Sequence, residues 1–110
     1  MEINTRDVDG IVVVDLAGKL DTQTSGLASE EFTRIARGDR MRILVNLENV
    51  EFMSSAGLRV LLRLAKTVGA TDGVLKICCA SGVVKEVLEI SGFGTLLDLH
   101  ETEASALEAF

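Results

Sequence analysis

Apolar and polar positions along this chain follow two periods, and the switches between them mark out its elements. Ile11-Val12-Val13-Val14-Asp15-Leu16-Ala17 is β-branched and apolar, as expected of a central strand. Residues 2–8 supply a weaker partner strand, joined to it by an Asp9-Gly10 hairpin turn. After Gly18 the character changes. Asp21-Thr22-Gln23-Thr24-Ser25 is rich in capping residues and precedes a helical pattern through Leu27, Ala28, Phe32 and Ile35, closed by Gly38-Asp39.

Ile43-Leu44-Val45-Asn46-Leu47 reads as the next buried strand. It leads through residues 48–53 to Ser54-Ser55 and a second helix, in which Leu58, Leu61, Leu62, Ala65 and Val68 share one stripe. Arg59, Arg63 and Lys66 fall off that stripe, and Gly69 with Thr71-Asp72-Gly73 closes the helix. Val74 to Ala80 is a further strand. A short helix follows, with Ser81 as its N-cap, Val84, Val87 and Leu88 inward and Gly92 at its end. Leu96-Leu97-Asp98-Leu99 is the last strand, and residues 101–110 form a final helix carrying Leu107 and Phe110.

After the opening hairpin, strands alternate with helices. That order predicts an α/β fold whose mixed, largely parallel sheet has helices packed against it. Short βα connections place the Asp21 segment and Ser54-Ser55 at the C-terminal ends of strands, where sites on α/β sheets collect.

Composition narrows the functional classes. With 110 residues, 47% of them hydrophobic, the chain suits one domain spanning 1–110 with a core that needs no staples. Its net charge of −6 disfavours nucleic acid and anionic membranes. No apolar run is long enough to span a bilayer, and Met1-Glu2-Ile3-Asn4 does not resemble a signal peptide, so a cytoplasmic location is expected. The adjacent Cys78 and Cys79 are expected on opposite faces of a strand, poorly placed for a bridge or a shared metal.

Catalytic and cofactor readings find little support. Met53-Ser54-Ser55-Ala56-Gly57 lacks the leading glycine of a nucleophile elbow, and the only histidine, His100, is expected at the solvated surface. Gly92-Phe93-Gly94 precedes a strand and lacks the third glycine of a dinucleotide fingerprint. The acidic residues have neither calcium-loop nor zinc-site spacing. No cofactor, no metal and no enzymatic activity are therefore expected. Ser54-Ser55 remains: at a strand-to-helix junction either serine can cap the helix, and the same free N–H groups can also favour a phosphate.

The stretch Asn46-Leu47-Glu48-Asn49-Val50-Glu51-Phe52-Met53-Ser54-Ser55-Ala56-Gly57-Leu58 closely resembles the signature of anti-sigma factor antagonists, which are STAS domains. Leu16-Ala17-Gly18-Lys19-Leu20-Asp21 is similar to the family's L-x-G-x-L-D segment, and Cys79-Ala80 through Val84, Leu88 and Ser91-Gly92 to its downstream pattern. The resemblance spans almost the whole chain. It implies a STAS-type single domain with about five strands and about four helices. It also implies a partner switch: the unmodified antagonist binds an anti-sigma factor that is a serine-protein kinase, phosphorylation releases it, and a PP2C-type phosphatase restores it. By this resemblance Ser55 is the phosphoacceptor, and Ser54 stands where many members carry aspartate. Asp21, Thr22, Met53, Ser54, Ser55, Gly57, Leu58 and Arg59 form the expected partner-binding patch. A non-phosphorylated accessory subunit of a transporter or signalling complex is the alternative the same resemblance allows.

Overall fold

The computed structural model describes residues 1–92 and 96–110. Phe93 and Gly94 of the G-x-G stretch therefore lie outside the described residues. Strands β1 (Glu2–Val8) and β2 (Ile11–Leu20) form the antiparallel hairpin, with Val8 opposite Ile11. Asp9 and Gly10 both have positive φ, 53° and 82°, which a two-residue hairpin turn demands and which Asp-Gly tolerates.

Helix α1 (Ser25–Ile35), strand β3 (Arg42–Met53), helix α2 (Ser55–Ala70), strand β4 (Val74–Cys78), helix α3 (Gly82–Ile90), strand β5 (Leu99–His100) and helix α4 (Glu103–Glu108) follow in order. The strand order is β1-β2-β3-β4-β5, and every neighbouring pair after the hairpin is parallel. Each new parallel strand is added on the same side of the last, so crossovers of one hand put their helices on one face. Buried residues of α1, α2 and α3, including Phe32, Leu61 and Leu88, accordingly share one cluster with Val14, Val45 and Ile77. The opposite face carries a smaller cluster, Ile11, Val13, Leu44 and Cys78, covered by Ala106 of α4. Among the described residues, no helix is long and apolar enough to cross a membrane.

Several expected boundaries shift, each for a local reason. Strand β3 runs to Met53 rather than Leu47, because register shifts against β2 let it continue past the end of its pairing with β4. Residues 48–53 then bury every third side chain, Val50 and Met53, a spacing that does not read as a strand. Asn46 supports the irregularity, its Oδ1 accepting the Glu48 N–H at 2.9 Å. Strand β4 stops at Cys78, since Cys79 has φ +66° and turns the chain. That turn also corrects the cysteines: both thiols belong to the cluster beneath α4 instead of lying on opposite faces. Burial, with a hydrogen bond to Cys79, pushes the Cys78 thiol up. The last strand is only Leu99–His100; Leu97 is a buried anchor before it and Leu96 is exposed. The final helix is shorter than expected, with Thr102 accepting the Ser105 N–H at its start.

Helix α2 buries Leu58, Val60, Leu61, Leu64 and Val68. The expected Leu62 and Ala65 are only partly covered, so the stripe is rotated toward α1. His100 is not the solvated residue expected. Its side chain is 20% exposed and its Nε2 lies 2.9 Å from Asp98 Oδ1, without the alignment of a hydrogen bond. Asp98 in turn accepts a hydrogen bond from the buried Lys76, which holds its carboxyl below the ordinary value.

Candidate functional site

The carboxyl ends of β2 and β3 finish side by side, with Leu20 opposite Met53, because parallel neighbours end at the same edge of the sheet. One residue on, the Ser54 N–H donates to the Leu20 carbonyl at 3.0 Å, tying the start of α2 to the start of the Asp21 turn. The approach is close enough to require glycine at position 57. A Cβ there would run into the Leu20 carbonyl oxygen and lie 2.7 Å from Leu20 Cγ.

Within this junction the two serines differ. Ser54 is the N-cap of α2: its backbone is extended, its Oγ accepts the Gly57 N–H at 3.4 Å, and its carbonyl accepts the Leu58 N–H at 3.0 Å. Ser55 is the first helical residue and is exposed. Around it, the first-turn N–H groups have no helical carbonyl to bind, and the positive end of the helix dipole favours an anion. Arg59, one turn on, is exposed and on the same helical face.

Asp21 has a defined local task. Its Oδ1 accepts the N–H groups of Gln23 at 2.9 Å and Thr24 at 3.2 Å, ordering the turn that leads into α1. Thr24 Oγ1 donates to the Lys19 carbonyl at 2.8 Å and closes the same turn. Thr22 is exposed at its tip. Of the expected patch, Thr22, Ser55 and Arg59 are exposed and Asp21 and Ser54 half-buried, whereas Met53, Gly57 and Leu58 are buried. Those three shape the junction from beneath and present no surface of their own. Sequence reasoning missed Leu20, whose carbonyl joins the two segments, and Ser25 and Ser29 of α1, which line a groove with Arg59 and Arg63.

A mixed sheet with a helix N-terminus and an ordered turn side by side at one edge defines an α/β domain with a candidate site at that edge. The STAS domain family model matches residues 2–106, and the chain belongs to that family. It is 32% identical to BtrV of Bordetella bronchiseptica, which carries the provisional name of anti-sigma factor antagonist, over 100% of this chain and 95% of that protein. It is 31% identical to the anti-sigma-B factor antagonist of Staphylococcus aureus, covering 92% of this chain and 94% of that one. Among solved structures, an anti-sigma factor antagonist from Mycobacterium paratuberculosis superposes with a TM-score of 0.90 at 22% identity, covering 98% of this chain and 92% of that one.

Proposed function

We propose that this chain is an anti-sigma factor antagonist that works by binding, without catalysis of its own. Unmodified, it docks a serine-kinase anti-sigma factor through the exposed surface around Thr22, Ser55 and Arg59. Phosphorylation of Ser55 releases that partner, and a PP2C-type phosphatase resets the switch. The observation that carries this reading is the division of labour at the start of α2: Ser54 caps the helix and Ser55 is exposed. A phosphate on Ser55 adds about −1.5 to −2 charges to the docking surface while leaving the cap in place.

The test is phosphate incorporation by the cognate kinase, read by mass spectrometry. Ser55→Ala is expected to abolish incorporation and Ser54→Ala to retain it. Incorporation that survives in Ser55→Ala and is lost in Ser54→Ala overturns the assignment.

A further inference from the structure

Helix α2 contains Arg59, Arg63 and Lys66 and no acidic residue, in a chain of net charge −6. Ser55, Arg59 and Arg63 recur every four residues and so form one stripe that begins at the proposed phosphoacceptor. Across from the stripe, Ser25, Ser29 and Thr33 of α1 repeat at the same spacing. Between the two helices runs a groove of 310 Å³, lined by Ser25, Gly26, Ser29, Ala56, Arg59, Val60 and Arg63. A smaller hollow continues it past Phe32, Leu64 and Thr67. No acidic side chain lines either one among the described residues. Neither guanidinium has an ion-pair partner among them, and Glu31 of α1 is engaged by Arg34.

We propose that this α1–α2 groove takes an acidic segment of the anti-sigma factor, with two carboxylates paired to Arg59 and Arg63. The proposal rests on the antagonist reading above and adds the chemistry of the partner. Two like charges one turn apart repel within the helix, and an anionic segment turns that repulsion into attraction. Their spacing along the axis, about 6 Å, suits carboxylates spaced four residues apart on a helix. Guanidinium groups bind carboxylates in a two-pronged fashion, and the Ser29 hydroxyl offers a further donor, those of Ser25 and Thr33 being given to the Thr22 and Ser29 carbonyls. The groove adjoins Ser55, so a phosphate there competes for Arg59 with the partner's carboxylate.

The probe is a peptide repeating Glu-Ala-Ala-Ala, titrated into the full chain at low salt and followed by amide NMR. Shifts are expected along Ser29, Arg59 and Arg63, weakening as salt rises. Arg59→Gln with Arg63→Gln should lower the affinity about tenfold, and the corresponding lysine pair should retain part of it. Both positions are exposed, so the variant's unperturbed amide spectrum serves as its folding control. Absence of shifts, equal shifts with a Lys-Ala-Ala-Ala peptide, or preferential binding of a single-stranded oligonucleotide in the groove overturns the proposal. Failure of the Ser55 reading is separately visible as wild-type protein that takes up no phosphate while the peptide shifts persist.

Discussion

Ser54 and Ser55 are chemically identical and adjacent, yet a step of one residue into the helix separates their tasks. Ser54→Ala removes the oxygen that accepts the Gly57 N–H, so stability should fall by about 0.5–1 kcal/mol, the low end for a cap because the bond is long. Ser55→Ala alters an exposed side chain and should stay within about 0.5 kcal/mol of wild type. Urea denaturation of the two variants checks the contrast. Gly57→Ala tests the close approach to Leu20: the added methyl meets backbone as well as a side chain, and a loss of about 1–3 kcal/mol is expected. The glycine was legible in the motif, but its reason was not, because Leu20 lies at the end of β2, far from this helix in the chain.

At the scale of elements, helix α2 carries its anion preference at its first turn. Ser55→Asp should therefore raise the unfolding free energy by about 0.3–1 kcal/mol at low salt, less at high salt, as measured by urea denaturation. The sheet edge around β5 has its own pH dependence. The Lys76 hydrogen bond, with smaller contributions from the Lys76 and His100 charges, holds the Asp98 carboxyl below its ordinary 3.8. A carboxyl lowered by folding stabilises the fold above its unfolded value and gives up that contribution as pH falls through its folded value. The stability difference between wild type and Asp98→Asn should thus be full at neutral pH and shrink in acid below that range. Periodicity revealed nearly every element, yet it shortened β3, since a strand with register shifts loses the alternation by which strands are read.

Across the whole molecule, the two faces of the sheet are covered unequally. Helices α1, α2 and α3 bury the larger cluster, and α4 alone supplies the buried cover of the smaller one among the described residues. Ala106 is fully buried there, so Ala106→Asp should place an unpaired carboxylate against Val13, Leu44 and Cys78 and cost about 2–4 kcal/mol. A lowered thermal midpoint with exposed apolar surface, read by dye binding, is the expected result. Local pattern by itself determined the hairpin, the alternation of strands with helices and the serine-bearing junction, because turn chemistry and hydrophobic period act within a few residues. Only the tertiary structure decided which face each helix covers, how Cys79 turns both thiols to one side, and that Arg59 and Arg63 share a groove with Ser25 and Ser29. Those outcomes depend on contacts between segments far apart in the chain, and no short-range period encodes them.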